Sequence, residues 1–568
     1  MPEALDSITY GSVFEVDERH QPVKFARTCQ LTEGAALNRD KSLGLFLSKS
    51  STSDLGWVSE LVGFPVKIVI GRMTPDLIDA LSDLRSLEAI WFYETNVSEE
   101  LVNSIERNKS VRAIGFEKCS IEDEALVRLG ALEQITELFV NQLCFDGVSL
   151  GECDFEVTRD CPANLNLALL KPVTALNSFN IHLTTTEGLD SFATDVSGKL
   201  FRLSMSFLEC KSESLTAMLS PNLKHLDLTG CRGTEVTSLA ALHKCTKLQS
   251  LLLRDSQIFS SFQEFQEELP HLSELNLGGL NLVADDVRWI WASRKMTKLD
   301  LSRNNFDEEI YHKLSDFEEL RDLKLDGLKL KNIPANLNAT SLKHLSVSQN
   351  PLGGADLEVL QRYCGLHSLD LSSCRLESLP PLQQFEELVE LHLDASDFSA
   401  VDFKLVSTLT QLRQLSLGRC NVDVEALKSL SRLANLYALS LDCNELDCDA
   451  MFHLANLEYL EELDLSANHA LSGKALRFLP QSIRTLNLES TGIQDDDLIH
   501  LFRFQGLDFL DLSDTAITDK GLEALSAHPT LRQLKIDACK ISNKARSILS
   551  ESRSLQSVSA HQTAIDAS

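Results

Sequence analysis

His392 and Asp394 stand two residues apart, and Ser416 follows one repeat length later. Together they supply the residue types of a nucleophile, a base and an orienting acid. A working triad also needs a pocket and oxyanion donors, which an open repeat surface does not provide, so their proximity reads as coincidence. Cys144, Cys153 and Cys161 are spaced by nine and eight residues with no histidine beside them, which fits no zinc pattern. Gly278-Gly279 and Gly353-Gly354 lack the lysine and spacing of a phosphate loop and read as turn glycines. Asp495-Asp496-Asp497 has the acidity of a calcium loop, but acids favoured at a helix N-terminus account for it without a metal. No catalytic, cofactor-binding or metal-binding residue is therefore expected, and what remains is recognition.

The recognition candidates are positioned by a repeat. Leu507-x-x-Leu510-x-Leu512 alternates as a short strand with one buried face. Thr515 and Ile517 follow, then Asp519 as a helix N-cap, with Leu522 and Leu525 on one helical face. The same order restarts at Leu531. Earlier units begin at Leu87, Val111, Ile135, Leu176, Leu200 and Leu223, and onward at intervals of 22 to 25 residues. Such a period means a solenoid, in which each unit buries its apolar face against its neighbours.

Counting the first leucine as position 1, positions 3, 5 and 7 point out of the sheet on the face away from the helices, because side chains alternate along a strand. In the N-terminal units they place Trp91, Tyr93 and Phe139 there. These are either anchors for a protein partner or ordinary core covered by the N-terminal segment or by residues 141–175. Later units present an acidic floor. Asp300, Asp370, Asp464 and Asp511 at position 5 belong to the recurring LDLS string. Asp326, Asp394, Asp442 and Asp537 at position 7 are less dictated by the repeat and are the better candidates for binding a partner. Position 9 is small and polar, with Cys119, Cys231, Asn304, Asn350, Cys374, Cys420, Asn468, Thr491, Thr515 and Cys539, and position 13 carries caps such as Asp285, Asp495, Asp519 and Asn543.

The pattern resembles the leucine-rich repeat, L-x-x-L-x-L-x-x-N/C-x-L, in its cysteine-containing and bacterial TxITDxGL forms. The resemblance implies an α/β solenoid, a horseshoe with a parallel concave sheet and mostly short convex helices. It also implies that the residues at position 9 turn inward and bond the loop leaving the strand. Residues 1–64 are expected to form an N-terminal cap with a degenerate repeat near Leu45 and Leu47, and 65–568 a solenoid of about 21 repeats. Ile333-Pro334 and Leu379-Pro380-Pro381 forbid a continued helix in their two units. The interval from Ile135 to Leu176, irregular at 141–175, is either one coil with an inserted loop or two abnormal coils.

Fifty-three basic against 83 acidic residues give a net charge of −30. That argues against nucleic acid or an anionic membrane as partner and permits a basic protein, though plain solubility needs charge as well. MPEALDSITYG lacks the basic and apolar regions of a secretory leader, and the fourteen cysteines form no CxxC pair, so a reducing cytoplasm is expected. The resulting expectation is a non-enzymatic protein-interaction module or scaffold. The alternative is a regulatory subunit, such as a ubiquitin-ligase substrate adaptor or a repeat-type GTPase activator.

Overall fold

In a computed structural model the chain forms two compact units, Met1–Lys295 and Met296–Ser568. The structure describes residues 11–15, 29–30, 43–47, 55, 58, 61–62, 66–140 except 94 and 118, 165–170, 178–182, and 186–563 except 207–208, 238, 260–261, 263–268, 339, 375, 377, 397, 551, 553, 556 and 562. Residues 16–28 of the expected cap, and 141–164 with Cys144, Cys153 and Cys161, lie outside them.

In the first unit the strand Gly11–Glu15 runs antiparallel to Leu43–Leu47 and to Cys29–Gln30. Leu43–Leu47 then begins a parallel series through Val66–Gly71, Ala89–Tyr93, Ala113–Glu117, Glu137–Val140, Ser178–His182, Arg202–Ser206, His225–Asp227, Ser250–Leu252 and Glu274–Asn276. Glu137–Val140 pairs directly with Ser178–His182, so no strand from the long interval enters the sheet between them. This is one coil with an insertion, and not two. Its short helical turn Leu167–Leu169 lies beside the preceding helix, Asp123–Gly130. Gly130 permits the approach, since a Cβ there would stand 2.5 Å from the Leu170 backbone.

The second unit repeats one coil with little variation. Parallel strands run from Lys298–Asp300 to Ser557–Ser559, and the position-4 residues align strand by strand, Leu299 with Leu323, then Leu345, Leu369, Leu391 and onward to Leu534 and Val558. These leucines are buried, as are those at position 6 such as Leu371, Leu393 and Leu441. Position 8 ends the strand with a left-handed residue. Arg303, Gln349, Ser373, Ala395, Arg419, Cys443, Ala467, Ser490, Asp514 and Ala538 all have φ between 51° and 57°. For a non-glycine residue that geometry costs about 1–2 kcal/mol. Each turn is held by its own N–H, which donates to the position-7 carbonyl of the next coil, as Ser373 does to Asp394 at 2.7 Å and Arg419 to Asp442 at 2.9 Å.

Position 9 then turns inward as expected and satisfies the buried loop. The thiols of Cys374, Cys420 and Cys539 donate to the carbonyls of Val347, Leu393 and Leu512 one coil back, at 3.1–3.2 Å. Asparagine does more. The Asn468 amide donates to Leu441 and Leu465 carbonyls while its Oδ1 accepts from the N–H groups of Asn444 and Leu446.

The convex side differs from expectation by one or two residues. The helix Asp519–Ser526 has Thr518 as its N-cap, and Asp495 likewise stands just inside a helical turn capped by Gln494. Asp285 lies two residues past its cap, Val283. The aspartates instead reach sideways. Asp495 accepts from the Thr518 N–H (2.9 Å) and hydroxyl, and Asp519 accepts from the Ser542 N–H (2.8 Å) and hydroxyl. They tie one coil's helix to the next. The two proline-bearing coils, 320–341 and 366–387, hold no helix among their described residues.

Candidate functional site

The open face of the sheet, made by positions 3, 5 and 7, is apolar in the first coils. Ile68, Ile70, Ala89, Trp91, Ala113 and Phe139 form one buried cluster, with Tyr93 half-buried against it. Trp91 and Phe139 are 3% and 4% exposed, and their rings stack with centroids 5.2 Å apart. The indole lies over Gly115, where a Cβ would come within 2.3 Å of the ring. Of the two readings of this trio, the core reading describes Trp91 and Phe139 as they stand. The Trp91 Nε1–H has no acceptor among the described residues.

The same positions in the C-terminal unit are polar, and a single need organises them. The N–H of position 7 leaves the ladder and must find an acceptor. Where position 5 is Asp, that carboxylate accepts from position 7 of its own coil, as Asp300 does from Ser302 (3.0 Å), Asp370 from Ser372 (2.9 Å), Asp464 from Ser466 (2.8 Å) and Asp511 from Ser513 (2.9 Å). In the coils with Ser346, Ser416 and Ser559 at position 5, the acceptor is the position-7 aspartate of the coil before; Ser440, at the same position, follows a coil with Gly418 at position 7. Asp326 takes the Ser348 N–H (2.9 Å), Asp394 the Gly418 N–H (2.6 Å) and Asp537 the His561 N–H (2.6 Å). Each of the three also accepts the hydroxyl of that serine, Ser346, Ser416 or Ser559. Asp442 is different, accepting only the hydroxyl of Ser440 in its own coil at 2.9 Å among the bonds described. The position-7 aspartates are thus less independent of the repeat than the sequence reading holds, because three of them close a neighbour's backbone.

Carboxylates gathered on one face perturb each other. Burial, with the nearby Asp370 charge adding to it, holds the Asp326 carboxyl above the ordinary carboxylate range against the opposing serine hydrogen bonds. Burial likewise raises Asp464, with Asp442 contributing. Glu489, at position 7, is raised by burial and by the charges of Asp511, Asp464 and Asp514. Just behind this face the ladder thiols stay protonated as donors, because burial pushes Cys374 up to about 11 and Cys420 to about 12.

The triad residues do not form a relay. Ser416 donates to Asp394 at 2.6 Å, so its hydroxyl is bonded to the acid and not to an imidazole. Asp495, Asp496 and Asp497 diverge to Thr518, Lys520 and the Gln494 N–H. Gly279 is a left-handed turn residue, φ 73°. What the face offers chemically is a row of acceptors. A carboxylate has about four acceptor sites, so those already bonded internally keep capacity for donors from outside.

Among known proteins, the family described as Leucine Rich repeat matches residues 507–526. The leucine-rich repeat-containing G-protein coupled receptor 5 of Rattus norvegicus is 32% identical over 171 residues, 30% of this chain. The chain matches only 18% of that receptor's length. Among solved structures, an internalin of Listeria monocytogenes is 17% identical, with 65% of this chain and 93% of the internalin covered and a TM-score of 0.36. The mouse RP105/MD-1 complex gives 16% identity, 88% and 85% coverage and a TM-score of 0.41.

Proposed function

Because the chain is a leucine-rich repeat protein whose C-terminal sheet face is a row of acceptors, we propose that it is a non-enzymatic protein-binding module. The partner is a protein with a basic, extended segment, laid across the strands of that face. One observation carries this reading. Position 7 holds a carboxylate in every second coil, at Asp394, Asp442, Glu489 and Asp537, with Gly418, Ser466 and Ser513 between them. At ~4.8 Å per strand these recur every ~10 Å, which a segment in the extended polyproline II form, at ~3.1 Å per residue, covers in one three-residue turn that returns every third side chain to the same face. A lysine or arginine at every third position would meet each carboxylate in turn, and the small residues between leave room for the segment's backbone. Asp326 stands three coils before Asp394 and adds to the acidity of the face without sharing this alternation. Trp91 and Phe139, with the half-buried Tyr93 against them, serve this module as packing on the open face of the N-terminal coils. A cytoplasmic setting is part of the proposal, supported by the ten described cysteines that are free thiols.

The test is a 15-residue synthetic peptide with arginine at every third position, compared with a peptide of the same composition whose arginines are consecutive. The spaced peptide should bind the full chain at least tenfold more tightly. Binding should weaken by a similar factor in Asp442→Lys/Glu489→Lys and at high salt. Equal binding of the two peptides, or unchanged binding by the variant, would sink the proposal.

A further inference from the structure

The helical side of the C-terminal unit carries a second, smaller surface of different chemistry, where exposed apolar side chains meet cations. Phe452, in the turn Ala450–Leu454, is 61% exposed. One coil later Phe478 sets its ring edge-to-face against it, with centroids 6.0 Å apart. One coil later again Ile499 is 64% exposed. Three consecutive coils thus present large apolar side chains where the repeat calls for polar ones.

Cations surround them. Lys474 and Arg477 are exposed on the short helix leading to Phe478. Arg477 Nε donates to His500 Nε2 at 3.1 Å, which requires that imidazole nitrogen to be unprotonated. Arg503 donates to the carbonyls of Leu476 and Arg477, and His453 lies beside Phe452, with centroids 5.9 Å apart. Asp497 packs against Gly473 but accepts from the backbone N–H of Gln494. Among the described residues Lys474, Arg477 and Arg503 have no carboxylate within ion-pair distance. Other cations of this unit do have one, as with Lys343 and Glu387, Arg484 and Glu461, Lys520 and Asp496, and Arg532 and Asp508. In a chain with 83 acidic and 53 basic residues, three neighbouring cations without a carboxylate partner stand out.

We propose that Phe452, Phe478 and Ile499, with Lys474, Arg477 and Arg503, dock an acidic protein segment that carries aromatic or aliphatic side chains. The apolar groups exclude water, and the Arg477 N–H groups not bonded to His500, with the Lys474 ammonium, offer donors for a carboxylate, while Arg503, held by two backbone carbonyls and lying over the Phe504 ring, adds positive charge. The acidic open face does not cancel this attraction. It lies on the far side of the coil, about one layer spacing of ~10 Å away, beyond the ~8 Å over which charge acts at physiological ionic strength. The surface is separate from the one under the proposed function, so either can fail alone.

The experiment selects 12-residue peptides from a random display library on the full chain, then measures the best by fluorescence anisotropy. The enriched peptides should include a net-negative class with at least one aromatic or aliphatic residue, distinct from any basic class held by the acidic face. The affinity of that net-negative class should fall at least tenfold on Lys474→Glu/Arg477→Glu and on Phe452→Ser/Ile499→Ser, and should not change on Asp442→Lys/Glu489→Lys. All substituted side chains on the helical side are exposed, so melting temperatures should hold. If one falls, Arg477→Gln and Phe452→Ala are judged by the same criterion. Absence of any net-negative class among the enriched peptides, equal binding of that class by the Lys474/Arg477 and Phe452/Ile499 variants, or capture of the chain by phosphatidylserine vesicles in a manner lost with Arg477→Gln would overturn the proposal.

Discussion

The sheet face at residues 66–140 and the sheet face at 296–563 are made by the same three strand positions and do opposite work. In the first, Trp91 and Phe139 stack among Ile68, Ile70, Ala89 and Ala113 and are buried. In the second, aspartates and serines trade hydrogen bonds along the row. Positions 4 and 6 are leucine-like throughout because they face the interior of the coil. The outward positions carry no such demand, so one backbone supports a core in one region and a polar surface in the other.

The contrast is most sharply tested by truncation on each side of it. Trp91→Ala should destabilise the N-terminal unit by about 3–5 kcal/mol, the usual cost of removing a buried large aromatic. A denaturant melt would measure it, and a loss below 1 kcal/mol would mean the cluster is not a core. On the polar side, Asp394→Ala strands the Gly418 N–H and the Ser416 hydroxyl and should cost about 1–3 kcal/mol. Asp442→Ala, which strands no backbone group among those described, should stay within about 0.5 kcal/mol. Equal losses at the two aspartates would break the distinction between closing a neighbour's backbone and standing free.

The smallest effect is in pH. The folded-state pKa of Asp326 is raised by burial above the ordinary 3.8, so the folded chain holds that proton more tightly than the unfolded one. The contribution to stability is therefore present below 3.8 and lost as pH rises through the folded value. Melting temperatures followed upward from pH 3.8 should decline less steeply for Asp326→Asn than for the unsubstituted chain. A steeper decline would show that the serine hydrogen bonds outweigh burial.

Much of this was legible from leucine spacing, since a period held in phase over so many units admits one architecture. The inward turn of Cys374, Cys420 and Asn468 at position 9 is what the family resemblance implies, and their small donor side chains suit it. The cap at Thr518 is one residue earlier than expected because Thr518 and Asp519 both suit an N-cap in isolation, and only the neighbouring coil shows that Asp519 is engaged by Ser542. Burial of Trp91 could not be read, since strand alternation fixes which way a side chain points but not what lies above it. The role of Asp394 was written in the sequence, in its pairing with Ser416 one coil later, but the pairing register is needed to see that the two meet.

That pairing has a consequence for how such a chain can lengthen, shorten or be re-engineered. A coil whose position-7 amide is met by the coil before, as those of Ser348, Gly418 and His561 are, is complete only behind a coil that supplies aspartate, whereas a coil with its own aspartate at position 5 is indifferent to its predecessor. Blocks of this array are therefore not freely interchangeable. Excising the 388–411 block would leave the 412–435 block facing Ser372 and Ser373 with no carboxylate for Gly418, while excising the 460–482 block would orphan no such amide in its successor, whose Asn487 serves Glu489 from within.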